Sequence, residues 1–345
     1  MNRDQELVIR ALSGRNDIYG MVGKNDDALA DSQRALSISK KCRSKKHIAD
    51  SLINLSNVYG SISKYDAMLH FSKRSLAINE ELNDRKGIAS NLNDIAYMHE
   101  RLGNYKKALV FYTQALKVRK KIGDRQTQAV TLNNIGFTHE RLGDHRTALK
   151  YLKNSLKIRE EIGDRQGQAI SLNNLGMIQV ELGDLRKARQ YLVHAETIAR
   201  KIKDKDMLQK IAVASGGLEL SRRDADRTGD KAKSYAATAM KLAEELKSKA
   251  GKAEALLLQA RIDMAENKAH SAEDMFNEAI AIFEELKLPY DIGRVYYYYG
   301  VAWKQNGRDG DGKFKKAREI FARLGLKTWL LKVNQALDRI VKEEK

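Results

Sequence analysis

Residues 128–144 read QAVTLNNIGFTHERLGD, and closely similar segments occur about 40 residues earlier, at 87–104, and about 40 residues later, at 168–184. A fixed period of this length is typical of a solenoid or array, in which each repeat contacts only its neighbours. For this reason we expect the 345-residue chain to form one elongated repeat domain.

The composition favours an all-helical fold. The chain contains one proline, Pro289, and many Ala, Leu, Lys, Glu and Arg residues. Helix interiors exclude proline more strongly than any other residue, so the predicted fold class is all-α, without strands. The single cysteine, Cys42, excludes an intrachain disulfide and a thiolate metal cluster, which agrees with a reducing compartment.

Nothing in the sequence predicts insertion into a membrane. No apolar run approaches the roughly 20 residues that a membrane-spanning helix needs. The N-terminus also lacks the apolar core of a signal peptide. We therefore expect a cytoplasmic protein.

The repeat predicts two helices joined by a tight turn. The core stripe of the first helix has the spacing +3, +4, +3 and consists of Leu132, Ile135, His139 and Leu142. Gly143 and Asp144 then end one helix and cap the next, because glycine tolerates a left-handed backbone and aspartate accepts hydrogen bonds from free amides. The second helix is expected to run to about Ile162. Its packed side consists of Ala148, Leu149, Leu152, Ser155 and Leu156.

Small residues at fixed places carry a resemblance to a known family. Gly136 is followed by Ala148 twelve residues later and by Ser155 seven residues after that, a pattern that resembles the tetratricopeptide repeat, or TPR. The period is longer than the usual one of about 34 residues and is similar to the repeats of kinesin light chain and of bacterial TPR peptide sensors. Leucine stands where tryptophan is common, and Gly-Asp-Arg replaces the terminal proline. The resemblance implies a TPR-type α-solenoid, a right-handed superhelix of helix-turn-helix repeats.

Extended along the chain, the resemblance predicts a single TPR superhelix over residues 1–345. About eight repeats are expected, approximately at 5–47, 48–87, 88–127, 128–167, 168–207, 208–251, 252–292 and 293–325, followed by a capping helix at 326–345. The sixth repeat has four additional residues around Arg222 to Gly229, which we expect to lengthen a turn. The apolar side of the capping helix consists of Leu330, Val333, Leu337 and Ile340. The N-terminus shows no comparable cap, so we expect that the chain could continue upstream in a longer protein.

The resemblance places a peptide-binding groove on the first helices, which line the concave side in this family. An asparagine carboxamide offers a donor and an acceptor, so a row of asparagines at the repeat spacing can bind the main chain of an extended peptide. The resemblance to kinesin light chain implies the same use, because asparagines at these places in that family bind the backbone of a peptide. The alternative is that the asparagines only tie adjacent helices together. The predicted groove residues are Asn54, Asn93, Asp94, Tyr97, Asn133, Asn134, Phe137, Arg141, Asn173, Asn174 and Met177.

Two further patterns concern the inner side of the predicted groove. The pairs Glu100-Arg101 and Glu140-Arg141 are expected to form a ladder of surface charges between repeats. In the tyrosine run at 296–299, Tyr296, Tyr299 and Trp303 keep the core spacing. Tyr297 and Tyr298 are therefore the candidates for the groove.

The net charge of +18 is unevenly distributed. From Arg101 to Arg165 there are 15 basic and 6 acidic residues, a net charge of +9. This excess is compatible with a solvated surface and also with a basic convex patch that binds nucleic acid phosphates or an acidic protein. No RNA-binding signature accompanies it. The candidate patch consists of Lys106, Lys107, Lys117, Arg146, Lys150, Lys153 and Lys157.

The sequence predicts no reaction centre. The spacing of the seven histidines matches no metal-ligand motif, and His99 and His139 recur with the repeat. We predict no catalytic residue, no metal and no cofactor. The expected function is that of a non-catalytic protein–protein interaction module that binds a peptide or a partner segment in the concave groove. The alternatives are a peptide-sensing regulatory domain of a larger signalling protein and a basic nucleic-acid-associated protein.

Overall fold

The computed structural model describes residues 3–21, 24–62, 64–221 and 225–343. Within these ranges the chain forms seventeen α-helices and no strand, which confirms the all-α fold class. The helices are α1 (Arg3–Met21), α2 (Asn25–Lys41), α3 (Lys45–Ser61), α4 (Tyr65–Glu81), α5 (Arg85–Arg101), α6 (Tyr105–Ile122), α7 (Arg125–Arg141), α8 (His145–Glu161), α9 (Arg165–Glu181), α10 (Leu185–Lys201), α11 (Lys205–Leu220), α12 (Ala225–Glu245), α13 (Lys249–Ala265), α14 (Ala269–Glu285), α15 (Pro289–Gln305), α16 (Asp311–Arg323) and α17 (Lys327–Glu343).

The chain divides into two compact units, Met1–Thr131 and Leu132–Lys345, and the boundary lies within α7. We call them unit 1 and unit 2. In both, an odd-numbered first helix packs against the even-numbered second helix that follows it. Each unit is therefore built from helical hairpins.

The first helices follow the 40-residue period and then depart from it once. They begin at Lys45, Arg85, Arg125, Arg165 and Lys205, and the next one begins at Lys249. The four additional residues of the sixth hairpin thus lie between Lys205 and Lys249. Within the predicted insertion, residues 222–224 lie outside the described part of the chain. The second helix that follows them, α12, has 21 residues.

Side chains of the predicted core stripe hold each hairpin together. Leu132 and Ile135 of α7 are 4% and 1% exposed, while His139 and Leu142 are half-buried. On α8, Ala148, Leu152 and Ser155 are fully buried. Small residues occur where the two helices approach most closely: a Cβ atom on Gly176 of α9 would lie 2.8 Å from Cγ of Leu192 on α10.

The turn between the helices has the predicted chemistry. Gly143 has a φ of +81°, in the left-handed region that favours glycine. The Asp144 carboxylate then accepts a hydrogen bond of 3.1 Å from the backbone amide of Thr147, which caps α8. In the C-terminal helix Val333 is buried and Leu330 and Leu337 are half-buried, whereas the side chain of Ile340 lies outside the described residues.

The first helices line the inner side of each unit. In unit 1, α1 contacts α3 and α3 contacts α5; in unit 2, α9 contacts α11, α11 contacts α13 and α13 contacts α15. No comparable packing joins successive second helices within the described ranges. The first helices are therefore closer together than the second helices, and each array curves around them. None of the described helices is long and apolar enough to cross a bilayer.

The tight hairpin contact predicts a pair of opposite glycine effects in unit 2. Gly176→Ala should lower the free energy of unfolding by about 1–3 kcal/mol, because the added methyl group overlaps Leu192. Gly217→Ala should be neutral or stabilising by up to about 1 kcal/mol, because only Arg261 comes as near as 4.0 Å to the new Cβ and alanine is the better helix former.

Urea unfolding of both variants, followed by far-UV circular dichroism, measures the difference. Equal midpoints for Gly176→Ala and Gly217→Ala would show that the close approach of α9 and α10 does not limit the residue at position 176.

Candidate functional site on the inner helix face

On the inner face of unit 1, two of the predicted asparagines are engaged in internal contacts. The carboxamide of Asn54 donates a hydrogen bond of 3.0 Å to the hydroxyl of Ser13 on the preceding first helix. The Oδ1 atom of Asn93 accepts a bond of 3.2 Å from Arg119 of α6. Tyr97 differs, because it is 39% exposed and the Arg101 guanidinium lies 5.9 Å from its ring centre. Tyr97 is therefore available to a ligand.

Asp94 completes the predicted set of unit 1, and its environment is unfavourable for a charge. Its Oδ2 atom is buried and accepts no hydrogen bond. The equivalent residues Asn54 and Asn174 each donate to a side chain 41 positions earlier, but that position before Asp94 holds Ile53. Burial raises the pKa of Asp94 to about 7, although Arg119 and a hydrogen bond with Asn93 act in the opposite direction. Asp94 is thus partly protonated at neutral pH.

On the inner face of unit 2, the asparagines divide into bound and free side chains. Asn174 donates a hydrogen bond of 3.2 Å to Oδ1 of Asn133 and so ties α9 to α7. Asn173 is 5% exposed, and its amide nitrogen lies 3.6 Å from the sulfur of Met177. Asn134 is half-buried, and its carboxamide bonds to no other described residue. The alternative role predicted for the asparagines, tying adjacent helices, therefore applies to Asn174 and Asn133.

A small pocket lies between two adjacent first helices of unit 2. It is lined by Phe137 and Glu140 of α7 and by Asn174 and Met177 of α9, with Leu152 and Ile178 beneath them. The pocket thus combines two apolar side chains with a carboxamide on its rim. Phe137 and Met177 occupy the same place in their repeats as Tyr97.

Arg141 lies deeper than the sequence predicted. Its guanidinium is stacked between two rings, 4.3 Å from the centre of Phe137 and 3.7 Å from that of Tyr290. Glu140 and Arg141 are 3.6 Å apart, and their side chains are only 14% and 13% exposed. The prediction of a surface pair is therefore wrong here, because both side chains are largely buried. Glu100 is buried too and accepts a hydrogen bond of 3.2 Å from Tyr112 on the second helix of its own hairpin.

The C-terminal helices meet the inner face of unit 2 from the opposite side. Lys332 of α17 forms a salt bridge with Glu181 at the end of α9. Thr328 of α17 lies so near Gly143 that a Cβ atom there would overlap its hydroxyl. Tyr290 at the start of α15 covers Arg141. The two ends of unit 2 therefore touch across its inner face.

Charged side chains on this face form ion pairs with one another. Arg294 of α15 lies 2.9 Å from Glu254 and 3.1 Å from Asp291. Burial raises the pKa of Glu140, although Arg141 opposes this effect. Burial alone would also raise the pKa of Glu181, but the ammonium group of Lys332 outweighs it and lowers the pKa. The inner face of unit 2 is thus polar, and its carboxylates lie next to cations.

In the tyrosine run, Tyr299 is a core residue, as its spacing predicted, and Tyr297 and Tyr298 contribute to the inner face. Tyr299 is fully buried, and its ring stacks on Phe276 at 4.7 Å. Tyr298 lies beneath the guanidinium of Arg261 at 4.1 Å, and Tyr297 packs edge-on against Trp329 at 5.4 Å. The sequence did not identify five of the residues that shape this face, namely Tyr290, Arg261, Arg294, Trp329 and Lys332. They lie outside the three most similar repeats, where no matching copies mark their positions.

The candidate basic residues are exposed and unpaired. None of the seven forms a salt bridge within the described part of the chain: Lys106, Lys107 and Lys117 lie on α6 of unit 1, and Arg146, Lys150, Lys153 and Lys157 lie on α8 of unit 2. Some exposed lysines elsewhere are paired, such as Lys187 with Asp184 and Lys205 with Glu245, whereas others, such as Lys120 and Lys121, form no salt bridge with a described residue.

The histidines that recur with the repeat are packing residues. His99 stacks on Phe111 at 5.5 Å and His139 stacks on Tyr151 at 5.8 Å. Burial lowers the pKa of both rings, although Asp144 opposes this effect at His139, and a lowered pKa favours the neutral imidazole. Among the described residues, no group of three or more His, Cys, Asp or Glu side chains could hold a metal ion.

The buried carboxyl group of Asp94 predicts a pH-dependent effect of Asp94→Asn. Because its pKa is raised to about 7, the folded protein binds a proton that the unfolded chain releases between about pH 4 and pH 7. Stability is therefore lost as the pH rises through this window. Asp94→Asn should stabilise unit 1 by on the order of 4 kcal/mol near pH 8 and have little effect near pH 4. Urea unfolding at both pH values tests this, and an equal gain at both would contradict it.

A model of the tetratricopeptide repeat family matches residues 48–121 and 127–201. No curated protein sequence matches the chain significantly. The family match covers the three most similar hairpins, whose first helices carry most of the candidate site.

Solved structures share the fold at low sequence identity. A Rap protein complexed with competence and sporulation factor has a TM-score of 0.64 at 14% identity, with 98% of each chain covered. The Rap conjugation gene regulator of plasmid pLS20, in complex with the Phr* peptide, has a TM-score of 0.67 at 13% identity, with 95% of this chain and 97% of that chain covered. The apo form of the quorum sensor NprR from B. thuringiensis has a TM-score of 0.61 at 14% identity, with 93% and 89% covered.

At these identities the likeness shows the fold alone, but the family match and the helical hairpins agree with it. Residues 48–121 and 127–201 are therefore tetratricopeptide repeats, and the described helices have the fold of a TPR-type α-solenoid.

Proposed function

We propose that this protein binds a peptide or a segment of a partner protein on the inner face of its first helices. The observation that carries the proposal is the pocket that Phe137, Asn174 and Met177 form between α7 and α9. The pocket has a free volume of about 10 Å³, room for about one water molecule, so we infer that an apolar ligand side chain would lie across Phe137 and Met177 at its surface.

Each unit has a side chain on its own inner face that could hold a segment: Asn134 in unit 2 and Tyr97 in unit 1. The unpaired carboxamide of Asn134 offers a donor and an acceptor to an extended backbone. The exposed ring of Tyr97 offers an apolar surface with a hydroxyl group at its edge. Asn54, Asn93, Asn133 and Asn174 are engaged in internal bonds, so their part in binding is to position the neighbouring helices.

The solved relatives support a binding role of this kind. Two Rap structures contain a factor or a peptide, and NprR is a quorum sensor. Those ligands belong to those proteins. For this chain we infer the same general class, a peptide or protein segment, within which a peptide-sensing regulatory domain of a larger signalling protein is the narrower proposal.

A second candidate function is favoured by the unpaired bases of α6 and α8. Seven exposed cations without carboxylate partners attract polyanions, so each of these helices could contact nucleic acid phosphates or an acidic protein through its outer side. Such binding would weaken steeply with salt, whereas binding to the inner face depends on apolar and amide contacts and would persist.

A selection from a random peptide display library tests the inner face directly. Wild-type protein should enrich peptides that bind the double variant Tyr97→Ala/Asn134→Ala about 10-fold or more weakly, a loss of about 1.4 kcal/mol. The matched control is Val110→Ala/Val193→Ala, because both valines are 55% exposed on second helices. This control should bind the selected peptides as the wild type does.

Two results would contradict the proposal. One is failure of the folded wild type to enrich any peptide. The other is equal binding of the selected peptides to the inner-face variant and the wild type.

The second candidate predicts a different response to salt. Binding of a fluorescent single-stranded DNA should fall by on the order of 10-fold or more between about 50 mM and about 200 mM NaCl. Lys150→Ala/Lys153→Ala/Lys157→Ala should weaken it further, while Tyr97→Ala/Asn134→Ala should not. Absence of binding at about 50 mM NaCl would remove this candidate.

A further inference from the structure

The inner face of unit 2 is closed by contacts between residues far apart in sequence. Glu181 at the end of α9 bonds to Lys332 of α17, although 151 positions separate them. Along the array, hydrophobic clusters join neighbouring helices, as where Ala148 and Leu152 of α8 pack on Leu175 and Ile178 of α9. The contacts that we find across the inner face are instead ionic, cation–π or close backbone contacts.

Three residues of the C-terminal helices make these contacts, and we call them the latch: Tyr290 of α15, and Thr328 and Lys332 of α17. Tyr290 is held from behind by Trp329, whose indole nitrogen donates a hydrogen bond of 3.2 Å to the tyrosine hydroxyl. The ring of Tyr290 then covers Arg141, which lies on Phe137. The latch thus consists of residues of α15 and α17 that are joined to each other through Trp329 and reach the opposite wall.

The latch and the candidate binding pocket use the same wall. Phe137 lines the pocket and also supports Arg141 beneath Tyr290. Glu140 lines the pocket and neighbours Arg141 at 3.6 Å. A segment that lies along α7 and α9 over Phe137 and Glu140 therefore meets the side chains that the latch engages.

We propose that the latch closes the inner face of unit 2 and competes with the bound segment, so that ligand binding requires the latch to open. This inference rests on the proposed function, because it describes regulation of the same inner-face site. The contacts that compete with the ligand are those of Tyr290 with Arg141 and of Lys332 with Glu181. When they break, Arg141 and Glu181 become accessible to a ligand.

The chemistry of the latch suits reversible opening. The side chains of Lys332 and Glu181 are 32% and 28% exposed, so solvent and salt screen their attraction. Thr328 adds a contact that depends on the absence of a side chain at Gly143. Opening at these contacts leaves the apolar cluster between α8 and α9 in place. It does uncover the ring of Tyr290, which is 6% exposed in the closed form.

Distance measurements between spin labels test the latch without any ligand. In a Cys42→Ser background, labels at Asn154→Cys on α8 and Gln335→Cys on α17 report the separation of the two walls, and both positions are exposed. The wild-type latch should give a narrow distribution at about 50 mM NaCl. Lys332→Ala, Gly143→Ala and about 500 mM NaCl should each shift it to longer and broader distances.

Matched controls separate the latch from general strain. Gly183→Ala imposes the same left-handed strain as Gly143→Ala, with φ values of +78° and +81°, but no atom lies within 4 Å of its Cβ. Lys327→Ala removes an exposed lysine from the same helix as Lys332. Both controls should keep the wild-type distribution, and Lys332→Arg should restore it.

Peptide affinity gives the second readout. Peptides selected on the wild type should bind Lys332→Ala several-fold more tightly, because the closed population no longer reduces the apparent affinity. Unchanged distances in Lys332→Ala, in Gly143→Ala and at high salt would overturn the latch, even if peptides bind. Opened distances without any selected peptide would leave the latch standing and reject the proposed function. Should Gly143→Ala fail to fold, the salt comparison on the wild type gives the same decision.

Discussion

The close approach of the two helices within each hairpin is the contact on which the rest of this molecule depends. At Gly136 and Gly176 a Cβ atom would come within 2.8 Å of a leucine on the partner helix, so only the smallest residue permits this packing. The equivalent positions of the other hairpins also hold small residues, Ser56, Ala96 and Gly216, so successive first helices present the same side to the interior of their unit. Tyr97, Phe137 and Met177 thereby occupy equivalent inner positions, and the candidate site is a consequence of the packing.

Polar residues on the inner face also join neighbouring first helices through hydrogen bonds, but these hydrogen bonds are missing at two places. Asn54 and Asn174 each bond to a side chain 41 positions earlier. The same spacing sets Asp94 against Ile53 and Ala214 against Asn173, where no such bond can form. In agreement with this, Oδ2 of Asp94 and Oδ1 of Asn173 are buried without a partner. An unpaired buried acceptor costs about 1–3 kcal/mol, so these two places are weak points of the array.

The sequence predicted the features that recur in every hairpin, but it did not predict the contacts that depend on the curvature of unit 2. The helices, the Gly143–Asp144 turn and the inner position of Phe137 follow from local periodicity, because each hairpin repeats the same contacts. The sandwich of Arg141 between Phe137 and Tyr290, and the pairing of Lys332 with Glu181, depend on how far unit 2 bends over several hairpins. No local pattern encodes that bend. The same bend buries Glu140 and Arg141, which looked like a surface pair in the sequence.

Photo-crosslinking tests most directly whether ligands contact the first helices on the inner face. A benzoylphenylalanine placed at Phe137 or Tyr97 reports inner contacts, and one placed at Val193, which is 55% exposed on α10, reports outer contacts. Irradiation with a peptide selected on the wild type should give adducts at positions 97 or 137 and none at 193. Adducts at 193 alone would show that ligands bind the outer surface and would contradict the account.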